Sequence, residues 1–78
     1  MWYVYLLRCS NGEIYKGCTN NIDMRLLRHQ KGWVESTKDV LPVQLISYTA
    51  FPDRSKAYAF EKYMKSGSGR AFASRHLI

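Results

Sequence analysis

The chain has 78 residues, of which 46% are hydrophobic and 14% aromatic. A chain this short buries only about 60% of its unfolded surface, so we expect one domain with a thin core, spanning residues 1–78. The hydrophobic fraction excludes an intrinsically disordered chain. The formal charge of +6 and the sequence pI near 9.6 favour a polyanionic partner, for which nucleic acid is the natural choice.

The distribution of charge and apolar residues argues against a membrane protein. The basic residues are scattered along the chain and do not gather on one face of a long helix. The opening segment MWYVYLLR has no basic residues before it and no cleavage site, and Arg8 ends the apolar run far short of a membrane span. We therefore expect a cytoplasmic protein. Cys9 and Cys18 match no zinc-binding spacing, and we expect both to be reduced packing residues.

The first predicted element is a hairpin. Residues 2–9 are rich in aromatic and β-branched side chains, and a second strand is expected over about 13–19. The intervening Ser10-Asn11-Gly12 predicts a turn, because Asn and Gly tolerate positive φ.

The turn decides which side chains share a face of the hairpin. A three-residue loop with Gly12 in the left-handed conformation places Tyr15 opposite Leu7 and puts Tyr5 on the same face as Tyr15. A two-residue turn would place the two tyrosines on opposite faces. We expect the three-residue loop, because a single site needs both phenols. In neither register are the cysteines cross-strand neighbours, so no disulfide is expected.

A helix, a loop and a third strand follow. Asn20 or Asn21 can cap a helix that carries Asp23 in its first turn, continues to about residue 31 and stops at Gly32. Residues 33–40 show no periodicity and predict a connecting loop. Pro42 then opens a third strand over about residues 43–51, whose alternation is imperfect.

The last part of the chain predicts two more helices. One begins near Ser55, with an inward stripe formed by Ala57, Phe60 and Met64, and Gly67 is expected to end it in a left-handed cap. A short final helix over residues 68–77 is expected to be held by Ala71, Phe72 and Leu77. The predicted fold class is α+β, in which a three-stranded antiparallel sheet, the hairpin plus the third strand, is flanked by helices.

Two tripeptides on the predicted hairpin carry a family resemblance. Tyr3-Val4-Tyr5 and Tyr15-Lys16-Gly17 resemble the paired motifs of the GIY-YIG nucleases. Arg25 and His29, one helical turn apart, and Glu61 follow in the family's order, so the likeness covers about residues 2–65. The stretch KSGSGR at residues 65–70 resembles the small stand-alone bacterial members, which are related to the nuclease domain of the bacterial excision-repair endonuclease. The resemblance implies a GIY-YIG endonuclease-like fold.

The resemblance also implies an activity and a set of roles. It implies a DNA endonuclease, of the kind used in DNA repair, that hydrolyses phosphodiester bonds with low sequence specificity and uses Mg²⁺ or Mn²⁺. Tyr15 would be the base that activates water, Tyr5 would position water or phosphate, and Glu61 would bind the metal ion.

Physical chemistry favours the same residues. Arg25 offers a planar fork to a phosphate, and His29 lies on the same helical stripe. The carboxylate of Glu61 is the hard oxygen ligand that Mg²⁺ and Mn²⁺ prefer. We assign substrate binding to three further residues of the hairpin and first helix, Lys16, Gly17 and Arg28. Gly17 is expected to leave room for backbone or phosphate to approach.

Structural interpretations of the same residues stay open. The tyrosines could simply be strand residues, Arg25 and His29 could form the solvated side of a helix, and Glu61 could be a boundary residue that reaches water. The chain also departs from the family pattern: Tyr3 replaces a glycine and Lys16 an isoleucine, both at strand positions expected to be exposed.

No asparagine follows Asn21, although many relatives have one near the C-terminus. Two alternative functions therefore stay open. One is a catalytically weak nucleic-acid-binding module that uses the same basic surface and requires a partner. The other is an inert protein-interaction adaptor.

Overall fold

Strands and helices follow one another in the predicted order. The computed structural model describes all residues from Met1 to Ile78. Its elements are β1 (Trp2–Arg8), β2 (Ile14–Thr19), α1 (Ile22–Gln30), β3 (Gln44–Phe51), α2 (Arg54–Met64) and α3 (Gly67–His76). The predicted α+β class, with a three-stranded antiparallel sheet and three helices, is confirmed. The longest helix has 11 residues, and none of the three could cross a bilayer.

The hairpin has the three-residue loop that the sequence predicts. Gly12 has φ +86°, and the Cys9 amide donates to the Glu13 carbonyl at 2.9 Å. Leu7 lies opposite Tyr15, and both cysteines are free thiols, as expected.

The sheet order β2-β1-β3 makes β1 the central strand. Four consecutive β1 residues, from Val4 to Leu7, are buried because helices cover both faces of the sheet. Tyr5 and Leu7 face α1 and the loop after it, while Leu6 faces α2 and α3 and packs against Met64 and Ala73. The register between β1 and β3 shifts between Leu6 and Leu7, which accounts for the imperfect alternation of the third strand.

Each helix begins at a polar cap. The side chains of Asn21, Asp53 and Ser66 accept backbone hydrogen bonds at the starts of α1, α2 and α3. Such caps satisfy amides that have no partner within the helix. Gly32, at φ +77°, follows the end of α1 as predicted.

Two expectations about the last helix are wrong. Gly67 does not end α2 in a left-handed conformation, because Ser66 already caps α3 and Gly67 is the first residue of that helix. The inward residues of α3 are Gly69 and Ala73 rather than Ala71 and Phe72, since two small side chains one turn apart let α3 approach the sheet and α2 closely.

The two positions that depart from the family motifs are half-buried, not exposed. Tyr3 packs edge-on against Tyr48 with ring centroids 5.8 Å apart. Lys16 lies beneath α3, as described below. Both strands of the hairpin, the central β1 and the edge strand β2, are thus covered more completely than their sequences indicate.

Candidate functional site

The Tyr5 hydroxyl is the centre of a buried hydrogen-bonded cluster. It lies 2.9 Å from His29 Nε2 and accepts a hydrogen bond from Arg25 Nε at 3.3 Å. The other ring nitrogen of His29, Nδ1, is 2.7 Å from Thr37 Oγ1. The cluster therefore joins β1, α1 and the loop after α1 through a continuous chain of polar contacts.

Local structure explains why these side chains meet. The i,i+4 spacing in α1 directs Arg25 and His29 towards the same face of the sheet. His29 is completely buried, at 0% exposure, and Arg25 is half-buried, so the interpretation that they form a solvated helix face is wrong.

Gly17 makes room for the Tyr5 ring. The two residues are cross-strand partners, and a Cβ at Gly17 would overlap the Cζ and Oη atoms of the phenol. The space that we expected to admit a phosphate is therefore filled by Tyr5. Gly17 acts by fixing the position of this phenol rather than by opening a path for substrate.

The protonation states of the cluster follow from its burial. Desolvation raises the pKa of Tyr5 to about 12, although the hydrogen bond from Arg25 opposes this shift. Burial, together with the positive charge of Arg25, lowers the pKa of His29 to about 4. The hydrogen bond to Tyr5 raises the pKa of Arg25. At neutral pH the cluster thus contains a neutral phenol, a neutral imidazole and one fixed guanidinium charge.

The proton pattern within the cluster has two consistent forms. Tyr5 donates to His29 Nε2 while Nδ1–H donates to Thr37, or Nε2–H donates to Tyr5 while the Thr37 hydroxyl donates to Nδ1. In both forms each buried polar atom has a partner. The Tyr5 hydroxyl is thus held by hydrogen bonds to both His29 and Arg25.

Tyr15 is the phenol that solvent reaches. Its half-buried ring lies 6.2 Å from the Tyr5 ring and 5.0 Å, edge-on, from His29. Tyr15 also lines a cavity of about 140 Å³ beside the hairpin loop, together with Ser36 and Glu13. The structure therefore brings Tyr5, Tyr15, Arg25 and His29 together and leaves Tyr15 and Arg25 as the partly exposed members.

Glu61 does not join this cluster. It lies on α2, which packs on the opposite face of the sheet from α1. Its carboxylate is 3.4 Å from Lys65 Nζ, and its side chain is 17% exposed. Burial and the negative charge of Glu61 raise the pKa of Cys18 on the edge strand β2.

The donor set around Glu61 fits only a weakly held metal ion. The chain contains no group of three or more histidine, cysteine, aspartate or glutamate side chains that could hold one. A single carboxylate suits Mg²⁺, which keeps several waters and often binds together with substrate phosphates. The residues are thus compatible with an ion that arrives with substrate and not with a permanent structural ion.

The remaining predicted residues lie outside the cluster, and sequence reasoning missed one member. Arg28 is exposed on α1, and Lys16 points to the α3 side of β2. Thr37 was not predicted. It is 1% exposed and bonds His29, yet it lies in a loop without periodicity, where no sequence pattern distinguishes it from its neighbours.

Comparison with known proteins assigns the family. The model of the GIY-YIG catalytic domain matches residues 1–73. This chain belongs to the GIY-YIG family. GIY-YIG domains are nuclease domains that generally use divalent metal ions, so a nucleic acid substrate is implied.

Several relatives share most of this GIY-YIG domain. A UPF0213 protein of Cupriavidus pinatubonensis is 36% identical over 95% of this chain and 87% of its own length. A UPF0213 protein of Nitratidesulfovibrio vulgaris is 41% identical over 83% of this chain, but the match spans only 60% of that relative. The solution NMR structure of a UPF0213 protein from Bacillus halodurans superposes with a TM-score of 0.60 and 30% identity, over 96% of this chain and 84% of that one. The resemblance to the small GIY-YIG proteins is confirmed.

Proposed function

We propose that this GIY-YIG domain is a metal-dependent endonuclease that hydrolyses phosphodiester bonds of DNA with low sequence specificity. The observation that carries the proposal is the pair of phenols held beside a single guanidinium charge. Tyr5 is fixed by His29 and Arg25, and Tyr15 faces solvent next to it. A basic chain with net charge +6 attracts the polyanion to this surface.

Tyr15 acts as the general base in this proposal. Only the phenolate form of a tyrosine accepts a proton from water, and Tyr15 reacts in that form. Tyr15 takes a proton from water, the water oxygen forms a bond to phosphorus, and the bond from phosphorus to the leaving oxygen breaks. That oxygen receives a proton from solvent. Arg25 binds the phosphate oxygens on which negative charge accumulates.

His29 and Tyr5 position the reacting groups. Because His29 is fully buried and both of its ring nitrogens are engaged, it acts through Tyr5 rather than on substrate. Tyr5 in turn orients Arg25 and packs against the ring of Tyr15. Buried, mutually satisfied polar groups are costly to disturb, which keeps this geometry fixed before substrate binds.

Glu61 would hold the Mg²⁺ or Mn²⁺ ion, with waters and substrate oxygens completing its coordination. Such an ion supplies positive charge to the phosphoryl oxygens. When the ion binds, the carboxylate of Glu61 would exchange its contact with Lys65 for a contact with the ion. Substrate phosphate, which attracts the lysine, would assist this exchange.

The same proposal assigns substrate contacts to Arg28 and Lys16. Arg28 carries its positive charge on α1 next to the cluster, and Lys16 carries its charge on the edge strand β2. Contacts of this kind bind phosphates and read no bases, so affinity should fall steeply with salt and depend little on sequence.

The decisive experiment compares Glu61→Gln with Arg25→Ala. Glu61→Gln keeps the size and helix propensity of the side chain but removes the ligand charge, so folding and DNA binding should persist while cleavage drops by orders of magnitude. Arg25→Ala should weaken both binding and cleavage, because a phosphate ligand is lost. Glu35→Gln is the matched control, since Glu35 also pairs with a lysine, at 3.2 Å, but lies in the loop after α1.

Binding is measured in chelator and cleavage in Mg²⁺ or Mn²⁺, on plasmid, single-stranded and branched DNA, with circular dichroism as the folding control. Equal cleavage by wild type and Glu61→Gln would show that the metal assignment is wrong. A wild-type protein that binds each DNA but cleaves none would instead support the alternative function, a nucleic-acid-binding module that requires a partner.

A further inference from the structure

A basic groove lies on the face of the sheet opposite to the tyrosines. It has a volume of about 370 Å³ and is open to solvent between β2 and α3. Its lining residues are Glu13, Ile14, Lys16, Arg70, Ala73 and Ile78. Two of these six are cations, and they come from different elements of the fold.

The positive charges of this groove have no carboxylate partners. The ion pairs of the chain are Glu35 with Lys38 and Glu61 with Lys65, so neither Lys16 nor Arg70 is neutralised. The pKa of Lys16 is lowered by burial and then by the charges of Arg70 and Lys65. Like charges held together in a concave site favour the binding of an anion.

Glu13 is the acidic residue of the groove. Its Oε1 atom accepts a hydrogen bond from Asn11 Nδ2 at 3.1 Å, within the hairpin loop, and forms no ion pair with either cation. The side chains that line the groove therefore carry a net positive charge. The apolar floor provided by Ile14 and Ala73 lowers the local dielectric and strengthens the field of both cations.

The turn between α2 and α3 fixes Arg70 in this place. A Cβ at Gly69 would overlap the backbone carbonyl of Tyr63, so only glycine permits the close approach of α3 to the end of α2. Ala73, 1% exposed, packs beside Leu6 and holds the next turn of α3 against the sheet. Arg70 lies between Gly69 and Ala73 in α3, and the burial of these two residues sets the direction of its side chain.

The edge strand β2 relates this groove to the tyrosine cluster. Successive side chains of a strand point to opposite faces, so Tyr15 and Lys16 lie on the two sides of the same edge. β2 pairs only with β1, which leaves its outer side free of other strands. A polyanion that passes over this edge meets both sets of groups.

We propose that Lys16 and Arg70 jointly bind one backbone phosphate of the nucleic acid strand whose adjacent segment lies at Tyr15 and Arg25, across β2. This inference rests on the proposed function, since it assumes the same substrate strand. The planar guanidinium of Arg70 and the ammonium of Lys16 together match the oxygens of one phosphate. The bound phosphate is not cleaved; it sets the path of the strand over the edge.

The test measures how binding depends on salt. The full chain is titrated with a short fluorescent oligothymidine in chelator, over a range of salt concentrations, for wild type, Lys16→Gln, Arg70→Gln and the double variant. Each single variant should bind roughly 2- to 10-fold more weakly. Because each single variant leaves one cation on the shared phosphate, its slope of log K against log salt should fall by less than about 0.7, the value for one phosphate contact on a single strand.

The double variant distinguishes one shared phosphate from two separate ones. If both side chains hold the same phosphate, the double variant should lose about 0.7 from the slope, whereas two separate phosphates would cost about 1.4. Lys56→Gln and Arg75→Gln are matched controls, since they remove the same charges from exposed positions of α2 and α3 outside the groove. These controls should leave the slope unchanged.

A second readout follows the Lys16 side chain itself. The ¹³Cε resonance of Lys16 is titrated with pH, with and without inorganic phosphate. A bound anion favours the charged amine, so phosphate should raise the pKa of Lys16 in wild type and have less effect in Arg70→Gln. A structural role alone would leave this response absent.

The outcomes separate this inference from the proposed function. If the groove variants bind like the controls, or if the double variant loses twice the slope, the shared phosphate site is wrong even if the wild type cleaves DNA. If the wild type binds but never cleaves, the nuclease proposal fails, while the slopes still decide whether Lys16 and Arg70 hold one phosphate.

Discussion

The buried imidazole of His29 should make the stability of this domain depend on pH. The pKa of His29 is lowered from 6.5 to about 4 in the folded state, by burial and by Arg25. Between these values the unfolded chain binds a proton that the folded chain does not, so stability rises with pH and is lost as pH falls below about 6.5. At about 1.4 kcal/mol per pH unit, the loss between about pH 7 and about pH 5 is about 2 kcal/mol.

Thermal unfolding provides the assay. For a domain of this size, about 2 kcal/mol corresponds to a fall in Tm of roughly 8–16 °C. Most carboxylates stay ionised above about pH 5, so the interval isolates histidine from acid titration. His29→Gln should lose most of this pH dependence, whereas His76→Gln, which alters an exposed histidine of α3, should retain it.

His29→Gln also removes a buried ring with two hydrogen-bond partners, and it could unfold the domain outright. Direct NMR titration of the wild-type imidazole avoids this difficulty. The His29 ring should remain neutral until about pH 4. A His29 ring that becomes protonated near pH 6.5 in the folded protein, together with a Tm that does not change between about pH 7 and about pH 5, would refute the reasoning.

Two further substitutions test how the cluster is supported. Gly17→Ala should destabilise the domain by about 1–3 kcal/mol in urea unfolding, because its methyl group would displace the Tyr5 ring; Gly67→Ala, in open space at the start of α3, should be neutral or slightly stabilising. Equal effects of the two would contradict this account. Thr37→Val should lower the free energy of unfolding by about 1–3 kcal/mol, because it leaves His29 Nδ1 without a partner. Thr49→Val on β3, where no side-chain hydrogen bond is lost, should change stability little. If Thr37→Val were neutral, its contact with His29 would contribute nothing to stability.

The hairpin was predictable from sequence because few physical choices were open. Ser10-Asn11-Gly12 allows a left-handed Gly12, and that single conformation fixes the opposition of Leu7 and Tyr15. The period-2 alternation then places Tyr5 on the same face. The choice of this three-residue loop over a two-residue turn, however, rested on the need of a single site for both phenols.

The placement of α3 was harder to predict, because small residues carry little pattern. Gly69 and Ala73 form its buried stripe, but a hydrophobic pattern favours Phe72, which instead packs edge-on against Phe60 at the rim, with centroids 6.3 Å apart. Close approach of α3 to α2 is a property of two helices together. It cannot be derived from either segment alone.

The polar contacts of the site depend on the same long-range packing. Arg25 and His29 share a helix face at a spacing that sequence reveals, yet their burial depends on how far the following loop folds over α1. Val34 and Thr37 are the residues of that loop that become buried. A connecting loop predicted only from its lack of periodicity gives no indication of which of its hydroxyls will turn inward.

Tyr5 belongs to both the hydrophobic core and the candidate site, and this double role follows from the size of the domain. It packs with Leu7, Cys9 and Val43 in the core on the α1 side of the sheet, while its hydroxyl bonds His29. A domain of 78 residues has too little interior to separate a supporting layer from a reacting layer. The aromatic ring of Tyr5 therefore stabilises the core, while its hydroxyl oxygen organises the polar side chains of the candidate site. Tyr15 packs against the same core but is only half-buried on the edge strand, which leaves part of its side chain exposed for the substrate contact that we propose.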